Sequence, residues 1–157
     1  MPKLNYPRLI LSVIVCQLAG VFGSFFTVSA IPGWYATLNK PWFTPPGWLF
    51  GPVWLSLYTL MGIALYLVWQ KGLGKNRLAA GVFGVQLGLN ALWSFLFFGL
   101  QNPFLGLLNI LALWVMIALS IWAFYKVDRR AGHLLLPYIV WVSIATALNY
   151  YVWILNP

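Results

Sequence analysis

"AAGVFGVQLGLNALWSFLFFG", residues 79–99, runs for 21 positions without one Asp, Glu, Lys, Arg or His. A helix of that length is about 30 Å long, the hydrocarbon thickness of a bilayer. Stretches on either side repeat the pattern, so five candidate spans emerge at roughly 9–31, 48–70, 78–99, 104–125 and 134–155. Runs of this length are too long for barrel strands, and the expected fold class is an all-α membrane bundle of five helices. Composition agrees: of 157 residues 62% are hydrophobic and 6% charged, with a mean hydropathy of +0.87. A soluble domain carries roughly a quarter charged residues. The length suits one domain covering residues 1–157.

Net charge is +8 because Asp128 is the one acidic residue. Such basicity raises the question of nucleic acid, but the cations sit in short segments beside apolar runs, where they orient a membrane protein and meet anionic headgroups. With five spans, Lys3, Arg8, Lys71, Lys75, Arg77, Lys126, Arg129 and Arg130 fall on one side and Lys40 alone on the other. The positive-inside rule then puts the N-terminus in the cytoplasm and the C-terminus opposite, in the inner membrane if the source is bacterial. A cleaved leader ending at "VSA" (28–30) would need an apolar run shorter than the one from Leu9.

The third span has two faces. Ala80, Gly84, Gly88 and Ala91 form a small-residue stripe suited to close helix contact, within the chain or between two copies of a homodimer. Gln86, Asn90, Trp93, Ser94 and Phe97 lie opposite, and amides there turn toward protein because unpaired ones are costly in hydrocarbon. The fifth span presents Tyr138, Trp141, Ala145, Leu148, Asn149 and Val152 on one face; small Ala145 beside two aromatics leaves a gap for a flat ligand. The second span aligns Trp54, Tyr58, Met61 and Leu65, and the first offers Gln17, Gly20 and Ser24. Trp48, Trp69, Trp122 and Trp153 read as interface anchors. Between the first two spans, "GWYATLNKPWFTPPGWLFGPVW" (33–54) holds four Trp and four Pro. We read it as a lid: Pro41, Pro45 and Pro46 stiffen it, while Trp34, Tyr35, Trp42 and Phe43 supply flat faces. Lys40 has two readings, a carboxylate partner or a lipid-facing cation.

What the chain lacks narrows its chemistry. No ionisable acid or base other than Tyr and Cys16 lies inside a span, and Cys16 is alone. His133, the one histidine, sits at the charged end. No metal cluster, nucleophile–base pair or phosphate loop can be assembled. An aromatic pocket for an apolar, planar ligand remains, with aromatic packing as the plain alternative.

Three blocks, "WYATLNKPWFTPPGWLFGPVW", "QLGLNALWSFLFFG" and "LLLPYIVWVSIATALNYYVW", make nearly the whole chain resemble the translocator protein family, also known as tryptophan-rich sensory proteins or peripheral benzodiazepine receptors. The resemblance implies a five-helix bundle, often a homodimer, that binds tetrapyrroles such as protoporphyrin IX and haem, cholesterol-like lipids and isoquinoline or benzodiazepine ligands, with no required cofactor. It assigns ligand contact to Trp54, Trp141, Asn90 and Trp93, and an affinity-linked small residue to Ala145. Some members are associated with light-dependent protoporphyrin degradation, which here would involve Trp54 and Trp141. The functions to weigh are therefore porphyrin binding for sensing or transport, photodegradation, and a structural or lipid-organising role. The chain departs from the animal cholesterol motif, since no Lys or Arg follows Tyr150 and Tyr151; a formal match runs from Leu119 through Tyr125 to Arg129. Its "KPWFTPP" also differs from the Ser-Trp of many bacterial members.

Overall fold

The computed structural model describes residues 4–157, among which no strand occurs. Within them five helices are long and apolar enough to cross a membrane: α1 (Tyr6–Ala30), α2 (Gly47–Gln70), α3 (Arg77–Gly99), α4 (Pro103–Val127) and α5 (Arg129–Leu155). The chain is an integral, multi-pass membrane protein.

Helix starts reach beyond the apolar runs because polar caps lie outside them. The Asn5 side chain accepts from the Arg8 N–H at 3.2 Å, Asn102 from Leu105 at 3.0 Å and Asp128 from Arg130 at 2.9 Å. Each satisfies a backbone donor that the first helical turn leaves free. Helix α5 therefore begins at Arg129, five residues before the expected span. Its ladder breaks at Leu135, ahead of Pro137, and resumes over Leu136–Leu155. Helix α3 is α-helical to Ser94 and closes with a π-helical turn, Phe95–Gly99, whose wider register turns both Phe97 and Phe98 inward. Gln101 then takes a left-handed φ of 51° so that the chain can reverse into α4.

Glycine sets how closely α1 approaches the bundle. A Cβ on Gly62 of α2 would lie 2.5 Å from the Val13 Cα, and one on Gly20 of α1 would lie 2.5 Å from Tyr58 Cε2. Helix α4 backs α3 and α5. Phe83 stacks on Phe124 at 5.0 Å, and Met61, Ile110, Leu113, Ile117 and Val142 are fully buried.

Contacts also show which ends belong together. The Asn5 N–H donates to the Tyr66 hydroxyl at 2.9 Å, and Arg8 lies over the Trp69 ring, joining the start of α1 to the end of α2. The first turns of α5 pack on α2 at that same end. Thus Arg8, Lys71, Lys75, Arg77, Lys126, Arg129 and Arg130 gather at one end of the bundle; Lys3 lies outside the described residues. At the other end, the α1–α2 loop is tied to the C-terminus. The Asn39 N–H donates to Asn156 Oδ1 at 2.9 Å, and Asn156 Nδ2 donates to the Asn39 carbonyl at 3.0 Å.

Candidate functional site

A cavity of about 390 Å³ opens between α1, α2, α3 and α5 in the half of the bundle nearer Lys40. Helix α2 contributes Gly47, Phe50, Gly51, Trp54, Leu55 and Tyr58; α3 contributes Asn90, Trp93, Ser94 and Phe98; α5 contributes Trp141 and Ala145. One flank is α1, from Gln17 through Gly20, Gly23 and Ser24 to Thr27 and Val28, continued by Ile31 just past its end. Helix α4 supplies no wall.

Of the residues singled out from sequence, Tyr35, Trp54, Tyr58, Asn90, Trp93, Trp141 and Ala145 meet around this one space, as do Gln17, Gly20 and Ser24. The others stand elsewhere. Gln86, Tyr138, Leu148 and Asn149 are buried behind the wall. Trp34 packs edge-on against Phe97 at 5.6 Å. Trp42 is 95% exposed and does not line the cavity; Pro45 and Pro46 lead into α2 without lining it. From Gly47 onward the stretch 33–54 is the first two turns of α2 and forms a wall of the cavity, while in its loop part Tyr35 reaches the cavity. The Asn39–Asn156 tether explains this: it draws the loop across to α5, where Phe43 packs on Tyr151 at 5.5 Å. Lys40 is held at the base of the loop by its own backbone. Its Nζ donates to the carbonyls of Tyr35 at 2.7 Å and Leu38 at 2.9 Å, capping the single turn Trp34–Thr37. Burial pushes the Tyr35 phenol above its ordinary pKa.

The polar groups of the wall are largely spoken for by one another. Tyr58 donates to Asn90 Oδ1, Asn90 Nδ2 donates to the Tyr138 hydroxyl at 2.8 Å, and that hydroxyl donates to Gln86 Oε1 at 2.9 Å. Trp93 Nε1 donates to Asn149 Oδ1 at 3.0 Å, and Asn149 Nδ2 to the Pro103 carbonyl at 2.7 Å. Gln17 Nε2 is held by the Leu55 carbonyl and Thr59, both at 3.0 Å. Among the described residues the buried donors Gln86 Nε2 and Trp141 Nε1 have no protein partner. What the cavity presents is aromatic: Trp54 stacked on Tyr58 at 5.4 Å, Trp141 edge-on to Phe50 at 5.8 Å, and Trp93 stacked on Phe97 at 5.1 Å. Among the described residues no three His, Cys, Asp or Glu come together to hold a metal ion. His133 packs on Tyr125 at the charged end, and Cys16 is buried off the cavity.

Two outward features remain. A Cβ at Gly84 or Gly88 would meet nothing within 4 Å, so those glycines of the α3 stripe pack against no neighbour among the described residues; Ala80 and Ala91 flank them half-buried. Trp48, Trp122 and Trp153 are exposed near helix ends, and Trp69 carries Arg8 on its face.

The comparison with known proteins bears on the same residues. The model of the TspO/MBR family matches residues 12–154. The tryptophan-rich protein TspO of Archaeoglobus fulgidus is 46% identical over 153 residues, covering 98% of this chain and 99% of that protein. Its namesake in Chlorobaculum tepidum is 45% identical, covering 95% and 96%. The human translocator protein is 41% identical over 123 residues, covering 76% of this chain and 73% of that protein. With a match that runs from the first turns of α1 to the end of α5, the chain belongs to the TspO/MBR family.

Proposed function

We propose that the cavity binds large, flat, apolar molecules, and that tetrapyrroles such as protoporphyrin IX or haem are the class it serves, in sensing or transport. The observation that carries this reading is the contrast between its aromatic faces and its internally satisfied polar groups. A ligand gains from Trp54, Trp93, Trp141 and Tyr58 by stacking and burial, while a polar ligand finds few free partners. Haem in this cavity would lack a histidine ligand from the wall, so recognition rests on the macrocycle rather than on iron. The positive-inside rule places the cation-rich end and the N-terminus in the cytoplasm, which puts the cavity in the opposite half of the membrane. The open faces of Gly84 and Gly88 support a homodimer through α3.

Tryptophan fluorescence titrated with protoporphyrin IX in the dark tests the site. Wild type should quench saturably, and a Trp54→Phe/Trp141→Phe double variant should bind roughly tenfold or more weakly. Equal binding, or quenching that never saturates, rejects the pocket. Trp54 and Trp141 both face the cavity, so illumination of the same samples tests photodegradation: a product formed only with light and dioxygen, and lost in the double variant, would establish it.

A further inference from the structure

A second concavity, of about 370 Å³, lies on the outer face of α4, away from the first. Its lining is Trp114, Val115, Ala118, Leu119 and Trp122. Trp114, Ala118 and Trp122 recur at four-residue spacing, so two indoles about 12 Å apart along the axis flank a single methyl. The result is a notch on the outer face of α4.

Both indoles are fixed in place. Trp114 Nε1 donates to Ser143 Oγ of α5 at 2.8 Å, and Lys126 Nζ lies 3.9 Å over the Trp122 ring. The second contact continues the notch into charge. Lys126 occupies the last turn of α4, and Arg129 follows with its guanidinium over the Tyr125 ring. Asp128 is the chain's one acid, and it is engaged by Arg130, whose Nε lies 3.6 Å away and whose N–H it caps. Lys126 and Arg129 therefore keep uncompensated charge beside the groove.

The dimensions match one leaflet. Val127 to Trp114 spans about 20 Å of helix, which carries the groove from the headgroup region to about the bilayer midplane. We propose that the α4 face is a binding site for one anionic phospholipid, its acyl chain seated between Trp114 and Trp122 over Ala118 and its phosphate held by Lys126 and Arg129. The choice of an anionic headgroup follows from charge complementarity at the mouth. Preset indole walls lower the ordering cost of seating a flexible chain.

Native mass spectrometry of the full chain, released from bilayer discs of equal phosphatidylglycerol and phosphatidylcholine, reads out retained lipid. Wild type should keep phosphatidylglycerol over phosphatidylcholine by about tenfold, from two close cations. Ala118→Phe, which fills the notch, and Lys126→Gln/Arg129→Gln should each bring the ratio to about twofold or less, with protoporphyrin titration of the inner cavity unchanged. Ala118→Leu serves as the milder filling variant if Ala118→Phe unfolds. Lys71→Gln/Lys75→Gln removes equal charge from the same end and should leave the ratio intact. Equal retention of the two lipids by wild type, an equal loss in the Lys71/Lys75 control, or no change on filling the notch would each overturn the proposal. So would disulfide-linked pairs formed efficiently by Trp122→Cys in the bilayer, which would make a second copy the occupant.

Discussion

Asn39 and Asn156 exchange two hydrogen bonds across 117 residues of sequence, the Asn39 N–H to Asn156 Oδ1 and Asn156 Nδ2 to the Asn39 carbonyl. This pair sets the path of the whole α1–α2 loop, because it clips the loop's middle to the end of α5. Asn156→Ala removes both bonds and leaves two loop backbone groups to water. The expected loss is about 1–2 kcal/mol, with faster proteolysis between Thr37 and Thr44. Protoporphyrin affinity should change by less than about threefold, since helices build the cavity. A tenfold loss would show that the loop, and not only Tyr35, contributes to binding.

Two glycines make opposite predictions for the same substitution. At Gly62 an added methyl meets the Val13 backbone at 2.5 Å, so Gly62→Ala must push α1 from α2 and should cost about 1–3 kcal/mol. At Gly84 nothing lies within 4 Å, and Gly84→Ala should stabilise the monomer by about 0.5–1 kcal/mol through helix propensity. Thermal unfolding in detergent measures both. In a homodimer packed through α3 the same methyl should also shift the protein toward monomer by light scattering, and an unchanged dimer would place the contact elsewhere.

Much of this architecture was legible because hydrocarbon thickness dictates span length and leaves few arrangements of five apolar runs. The helix ends were less so: Asn5, Asn102 and Asp128 cap from outside those runs, where hydropathy carries no signal. The inward faces of α2, α3 and α5 followed from helical periodicity. Periodicity cannot tell which amides are already engaged, Gln86 by the Tyr138 hydroxyl and Asn149 by the Trp93 indole. The placement of Trp42 is illegible for another reason. A ring's direction in a loop depends on where the loop is tied, and the tie runs from Asn39 to a residue 117 positions away. The extent of the α1 wall was also understated, because Val21, Thr27 and Val28 look like ordinary lipid-facing residues until Gly20 and Gly23 bring their helix close.

Alkaline titration should single out Tyr35. Burial raises its pKa in the folded protein above the ordinary value of about 10. Between those two values the unfolded chain has lost the proton while the folded chain retains it. The phenol's contribution to stability is therefore complete below about pH 10 and is lost as pH climbs toward the folded pKa. Tyr35→Phe should flatten the fall in melting temperature above about pH 9.5 relative to wild type. Identical profiles would mean that the hydroxyl reaches solvent.

The chain from Tyr58 through Asn90 and Tyr138 to Gln86 lets a structural role for Asn90 be separated from direct ligand contact. Asn90→Leu strands the Tyr58 hydroxyl and deprives Tyr138 of its donor, both in buried surroundings. The cost should be about 2–4 kcal/mol. Tyr58→Phe in the same chain removes one stranded group, so the double variant should be more stable than the two single losses summed, by roughly 1 kcal/mol. If Asn90 serves mainly to align these phenols, ligand affinity in the double variant should recover along with stability. Recovery of stability without recovery of affinity would instead place the Asn90 amide in contact with the ligand.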